Sequence, residues 1–210
     1  MVRIITIERE YGSGGGQIAA KVATRLGWEL WDQTLTQEIA RLAHCHESTI
    51  QKHEERRDPL YHRLLKSFSL GSYEGNFGIY PMETLDAEKI MKISQQVVEK
   101  AAASGNCVIV GRGAQHFLQD RTDTLRFFLY APRESKIQRL ISEGTSRTHA
   151  EALVERVDRE RAAYIRNYFH AAWPNRSVYH AMINTANGDQ QVVNAILSFL
   201  DIQSRGLAAD

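Results

Sequence analysis

Two groups of residues in this chain have the makings of phosphate chemistry. Between positions 10 and 17 the sequence runs Glu10-Tyr11-Gly12-Ser13-Gly14-Gly15-Gly16-Gln17, with four glycines among the five residues 12–16. Glycines let several backbone N–H groups converge on one anion with no β-carbon in the way, at an entropic cost that a plain turn has no need to meet. A helix that begins directly after such a loop adds its positive end to the same point. The second group is arginine: Arg112 stands between Gly111 and Gly113, and Arg156, Arg159, Arg161 and Arg166 share one charged stretch with Asp158 and Glu160. The planar guanidinium fork matches phosphate oxygens in pairs. Phosphoryl transfer asks for in-line positioning and cations around the moving group more than for acid–base apparatus.

These residues need elements to hold them. Residues 2–7 form a nearly continuous β-branched apolar run, as a strand buried on both faces requires. A helical pattern follows the glycines through Ile18, Ala19, Val22, Ala23 and Leu26, closed by Gly27. Residues 28–31 read as a short second strand, and Asp32 as the N-cap of a helix carrying Leu35, Ile39 and Leu42. Residues 46–70 read as helical pieces broken near Pro59, residues 71–81 as an irregular loop, and residues 84–104 as a long helix. Then come an apolar strand at Cys107–Val110, a strand at 125–130, a helix entered through Pro132, a charged helix at 147–168, a last strand at 178–184 and a helix at 190–202. Five apolar strands separated by helices mean parallel β-α-β units joined right-handedly. In such sheets ligands gather beyond the carboxyl ends of the strands. The glycine loop, Asp32, Gly111-Arg112-Gly113 and Asn184-Thr185 each follow a strand directly.

The full phosphate-loop pattern G-x-x-x-x-G-K-[ST] is not met. With Gly15 in the second glycine position, Gly16 replaces the lysine and Gln17 the hydroxyl residue that would hold magnesium. Two cations stand near enough to substitute for that lysine. Arg9 precedes the loop and can fold back across it; Lys21 lies one helical turn beyond Gln17 on the same face. Magnesium is expected to accompany a polyphosphate donor. No acidic residue ends the 107–110 strand, which leaves phosphates, water and Ser13 to hold the metal.

Bulk properties narrow the class. The chain has 210 residues, a formal net charge of +1 and 43% hydrophobic residues, which suits one domain with an embedded helical part. The balanced charge supplies no global field toward nucleic acid, and no apolar run reaches the ~18 residues of a membrane span. Two cysteines, Cys45 and Cys107, without close spacing suit a reducing cytoplasm. His44-Cys45-His46 lacks a second ligand pair at the spacing a zinc site needs. The aromatics Phe68, Tyr73, Phe77 and Tyr80 are candidates for stacking on a base, covering a subunit contact in a homodimer, or ordinary loop packing.

The segment Ile5-Thr6-Ile7-Glu8-Arg9-Glu10-Tyr11-Gly12-Ser13-Gly14-Gly15 resembles the opening of the cytidylate kinase-like family, which has R-E-Y-G-S-G-G in place of the full phosphate-loop pattern. The resemblance continues through Trp31-Asp32, Val110-Gly111-Arg112-Gly113-Ala114, Asp158-Arg159-Glu160-Arg161 and Asn184-Thr185, and so spans nearly the whole chain. It implies a three-layer α/β P-loop kinase fold with a five-stranded parallel sheet in the order 2-3-1-4-5. It also implies ATP- and Mg2+-dependent transfer to a nucleoside monophosphate, with CMP or dCMP preferred. The expected plan is one domain, with residues 32–104 as a helical acceptor insertion and residues 147–173 as a lid. Gly12, Ser13, Gly14, Gly15, Gly16 and Gln17 would then hold the donor phosphates, helped by Arg9 or Lys21, while Asn184 and Thr185 face the donor base. Arg112 would anchor the acceptor phosphate beside Asp32; Arg159 and Arg161 would stabilise the transferring group, with Asp158 as their positioning partner or a ribose contact. Cytidylate kinases carry G-R-D where this chain has Gly111-Arg112-Gly113, so one acidic contact is missing. The readings left beside the kinase are a non-catalytic nucleotide-binding regulator and a kinase of another small acceptor.

Overall fold

The computed structural model describes residues 1–50 and 87–206. Five parallel strands, β1 (Ile4–Arg9), β2 (Glu29–Trp31), β3 (Cys107–Val110), β4 (Thr124–Tyr130) and β5 (Ala181–Asn184), form one sheet in the order β2-β3-β1-β4-β5. That is the order implied by the family resemblance. Strand β1 is central: Ile4 pairs with Cys107 on one side and Thr124 on the other, and Ile7 with Val110 and Phe127.

Alternation along the strands divides the core into two layers, because successive side chains leave a strand on opposite faces. Ile4, Cys107 and Ile109 pack with Leu35 and Ile39 of α2 (Gln33–Ile50) and Val97, Val98 and Ala101 of α3 (Ala87–Ser104). Ile5, Ile7, Val108, Val110 and Phe127 pack with Ile18 and Val22 of α1 (Gly15–Leu26) and Val193 and Ile196 of the C-terminal helix. Each large aliphatic side chain so buried contributes about 1.5–3 kcal/mol.

Four further helices lie among the described residues: the short α4 (Ala114–Phe117), α5 (Arg133–Ser142), α6 (Arg147–Phe169) and α7 (Asp189–Gly206). Several boundaries differ from the sequence reading. Strand β1 runs on through Glu8 and Arg9, both buried, because the central strand has partners for its polar end. Strand β5 begins at Ala181, since Arg176–Val178 is a 3₁₀ turn capped by Asn175. Helix α4 is an addition to that reading. The stretch expected as a lid is mostly the single 23-residue helix α6, which buries Leu153, Val154, Val157, Arg161, Tyr164 and Ile165.

Of the insertion at 32–104, α2 and α3 are the described parts; Pro59, the loop at 71–81 and the aromatics Phe68, Tyr73, Phe77 and Tyr80 lie outside the described residues. No helix among the described residues is long and apolar enough to cross a membrane.

Candidate active site at the strand ends

The glycine loop joins β1 to α1. Gly14 adopts φ 76° and caps α1, so the helix opens at Gly15 and its first N–H groups have no partner within the helix. Ser13 is buried, and its hydroxyl donates to the Glu10 carbonyl at 2.7 Å, closing the turn from inside. The loop therefore ends one residue earlier than the sequence register assumed. With Gly14 as the second glycine of the phosphate-loop pattern, the first glycine's position falls on Arg9 and the lysine's on Gly15.

In that register the lysine's position lies against Arg9. A β-carbon added at Gly15 would lie 2.6 Å from Arg9 Cβ and 2.8 Å from its Cγ. One added at Gly111 would lie 2.2 Å from Arg9 Nη1. The Arg9 side chain thus starts beside the first residue of α1, fills the space a side chain at the lysine position would enter, and ends against the turn after β3. It is 2% exposed, and its Nε and Nη1 are buried without a hydrogen-bond partner. Its Nη2 lies 3.5 Å from Asp32 Oδ1. Buried guanidinium N–H groups without acceptors are costly, by about 1–3 kcal/mol or more each.

A second corner is built at the ends of β2 and β3. Gly111, Arg112 and Gly113 take φ values of 69°, 59° and 75°, and a left-handed arginine is uncommon enough to mark a strained turn. Arg112 is buried and donates to the Thr36 hydroxyl on the first turn of α2, one turn from Asp32. Arg9 thus reaches Asp32 at the end of β2, and Arg112 reaches Thr36 one helical turn further along the same segment.

On the other side of the loop lies a polar group that the sequence reading missed in part. Arg139 of α5 lies against Gly14, where an added β-carbon would be 2.4 Å from its Nη1. It donates to Gln17 Oε1 at 3.3 Å and to Asp189 Oδ1 at 2.8 Å. Gln17 also donates to Glu143. Lys21, half exposed, pairs with Asp189 Oδ2 at 2.9 Å, the carboxylate that also binds Arg139, while Arg9 lies buried against the loop itself. Asn184 caps the 3₁₀ turn Thr185–Asn187 by accepting from the Ala186 N–H, as its turn reading requires. Thr185 is buried with its hydroxyl unpartnered.

Helix α6 divides the expected arginine pair. Arg159 is exposed. Arg161 is 1% exposed and donates from Nη1 to the Arg9 carbonyl at 2.7 Å. Desolvation, and then the neighbouring charge of Arg9, pull its pKa down to about 10, so it remains a cation at neutral pH. Arg161 therefore acts on the loop backbone and is not a solvent-facing lid arginine. Asp158 Oδ1 accepts the Tyr11 N–H at 2.7 Å, and its Oδ2 accepts from Lys136, which also binds Glu10. Burial works against the charge of Lys136, but Asp158 and Glu10 outweigh it and its pKa is raised. Sequence reasoning overlooked Lys136 and Arg139, because helix-borne polar residues carry no motif; the distances between elements identify them. It also gave no role to Glu8 on β1, which accepts from the Arg9 N–H at 2.9 Å and from Gln115 Nε2 at 3.3 Å.

Among the described residues no three His, Cys, Asp or Glu side chains are grouped to hold a metal ion. Ser13, the expected magnesium contact, has its hydroxyl committed to Glu10. The described residues therefore offer no protein cage for a metal ion.

Comparison with solved structures agrees with this architecture. The chain is similar to an uncharacterized protein from Eubacterium ventriosum at TM-score 0.68 and 21% identity, covering 96% of this chain and 99% of that one. It is similar to shikimate kinase from Bacteroides thetaiotaomicron at TM-score 0.52 and 13% identity, covering 96% and 99%. Shikimate kinase from Acinetobacter baumannii, in complex with shikimate, matches at TM-score 0.51 and 17% identity, covering 95% and 93%. The fold is that of the P-loop-type kinases. A search of the curated proteins found no match. The model of the cytidylate kinase-like family matches residues 4–187.

Proposed function

Because the chain belongs to the cytidylate kinase-like family, we propose that it transfers the terminal phosphoryl group of ATP to a nucleoside monophosphate, CMP or dCMP by preference. The observation that carries this reading is the buried Arg9 side chain, with two unpartnered N–H groups, between the glycine loop and the Gly111-Arg112-Gly113 turn. A polyphosphate lying across the loop supplies the acceptors those groups lack, and Arg9 takes the charge-neutralising role of the missing lysine.

In this reading the backbone amides of residues 12–16 and the start of α1 cradle the donor phosphates, with magnesium arriving on the ATP. Arg139 and Gln17 flank the donor at the mouth of the loop, and Asn184 and Thr185 border the base. Arg112 grips the acceptor phosphate, and Asp32 orients Arg9. An acceptor phosphate oxygen attacks the γ-phosphorus, the bond from that phosphorus to the β–γ bridging oxygen breaks, and ADP leaves with the electron pair. Residues 32–104 enclose the acceptor and residues 147–173 border both sites. A cytoplasmic setting suits a chain with a reduced, buried Cys107.

The test is ADP release across CMP, dCMP, other monophosphates, nucleosides and sugars. Turnover greatest with a pyrimidine monophosphate supports the proposal; ATP binding with no turnover on any acceptor supports a nucleotide-binding regulator instead. A second reading, a kinase of a hydroxyl-bearing acceptor, is favoured by Asp32. An alcohol, unlike a phosphate, must surrender a proton as it attacks, and Asp32 is a buried carboxylate at the same corner as Arg9. Shikimate kinases with this fold act as a precedent for the architecture alone.

A further inference from the structure

Helix α6 touches the site at three points, spaced three residues apart. Asp158 accepts the Tyr11 N–H at 2.7 Å at the start of the glycine loop. Arg161 donates to the Arg9 carbonyl at 2.7 Å, where β1 hands over to that loop. Tyr164 donates its hydroxyl to the Arg112 carbonyl at 3.3 Å in the acceptor-side turn, and lies equally close to Met91 Sδ of α3. Six residues of helix rise about 9 Å, enough to bridge from one loop to the other. All three loop partners are backbone groups, and Met91 lies on α3, within the insertion. None of these bonds needs a ligand, and each fixes main chain on which a ligand would sit.

The arrangement is stiffened from both sides. Lys136 joins Asp158 to Glu10, and Tyr11 packs with Leu153, Val154 and Val157 of the same helix. At the far end Phe169 lies against Gly113, where an added β-carbon would be 2.4 Å from its ring, and stacks on His116 at 4.5 Å.

We infer that α6 is a spacer that sets the distance between the donor loop and the acceptor turn, with Asp158, Arg161 and Tyr164 as positioning residues. The inference rests on the phosphoryl-transfer reading for its kinetic consequences, though not for its structural ones. Transfer requires the attacking oxygen and the phosphorus to approach to about 3–3.5 Å, and a misplacement near 1 Å can cost about 100-fold. A helix bonded to both loops supplies that accuracy without touching either nucleotide.

The experiment compares Tyr164→Phe, Asp158→Ala and Asp158→Asn with the parent in kinetics and in amide hydrogen exchange. Tyr164→Phe removes one hydroxyl and is expected to lower kcat about tenfold while the ATP dissociation constant stays within about twofold. Asp158→Ala is expected to lower kcat further, and Asp158→Asn, which keeps an oxygen for the Tyr11 N–H, to recover most of it. In the free protein, exchange of the Tyr11 amide should quicken about tenfold or more in Asp158→Ala and much less in Asp158→Asn. Saturating ATP should slow exchange at residues 111–114 in the parent but not in Asp158→Ala. A kcat for Tyr164→Phe within twofold of the parent, or ATP protection at 111–114 unchanged by Asp158→Ala, overturns the spacer. If the parent binds ATP yet phosphorylates no acceptor, the proposed function fails and the exchange measurements still decide the spacer. If the parent binds no ATP, an unchanged Tyr11 exchange rate in Asp158→Ala overturns the spacer and a quickened one supports it.

Discussion

Replacing Gly15 with alanine tests the role of Arg9 without touching Arg9. The substitution keeps the backbone amide at the start of α1, so the phosphate cradle retains its donors. Its β-carbon would stand 2.6 Å and 2.8 Å from Arg9 Cβ and Cγ. Real contacts of that kind sit near 3.5–4 Å, so the arginine must retreat by about 1 Å at its root, and more at the guanidinium. Folding stability should fall by up to about 2 kcal/mol, because alanine gains up to about 1 kcal/mol over glycine in a helix while overpacking against the strand-held root of Arg9 costs about 1–3 kcal/mol. Nucleotide binding should suffer more. A hydrogen bond to a charged group is worth about 1.5–3 kcal/mol. Loss of about 2–3 kcal/mol from the Arg9 contacts weakens ATP roughly 30- to 150-fold. Calorimetric titration with MgATP, beside a thermal melt, reads both quantities. Exchanging the pair, Arg9→Gly with Gly15→Lys, should return affinity to within about tenfold of the parent, while Arg9→Gly alone should not. A folded Gly15→Ala protein that binds ATP within threefold of the parent refutes the reasoning, because Arg9 would then be irrelevant to the phosphates.

Three further outcomes are expected. Asp32→Asn should lower kcat by 100-fold or more if the acceptor is a hydroxyl, through loss of a general base, and by less than tenfold if it is a phosphate; steady-state kinetics on the best acceptor decides. Lys136→Met should destabilise the fold by about 3 kcal/mol, since it leaves Glu10 and Asp158 facing one another at low exposure, and a thermal midpoint unchanged within 2 °C contradicts that. Burial first, and Glu29 second, raise the Cys107 pKa from 9.0 to about 11. The folded state therefore holds a proton there that the unfolded state gives up: its contribution to stability is intact below about pH 9 and is lost as pH rises toward 11. Denaturant titrations across that window should show the decline, and Cys107→Ala should flatten it.

The sequence determined the frame because its signals were local. Apolar runs of four to seven residues marked the strands, their separation by helices made the sheet parallel, and Gly27 closed α1 by taking the left-handed conformation for which glycine is suited. The positions that follow each strand were equally legible, since any residue directly after a parallel strand must lie at the same edge of the sheet. Glycine spacing could not fix the loop's register. Gly14, Gly15 and Gly16 are alike in sequence, and only the onset of α1 and the path of Arg9 make Gly14 the cap and Gly15 the vacated position.

The charged stretch at 156–166 shows the same boundary. Its periodicity announced a helix, and composition could not tell an exposed lid from a packed brace, since arginine serves in both. Packing decided. Arg161 faces the Arg9 carbonyl while Arg159, two residues and about 200° around the helix, is exposed. Lys21 and Arg9 were both candidates from their positions near the loop, and the partner that Lys21 meets, Asp189, lies 168 residues beyond it. Sequence sets which groups each element can offer, because backbone preference and hydrophobic period act over a few residues. Which partner a long charged side chain meets depends on what distant elements bring within a few ångströms, and that is settled only when the chain has folded.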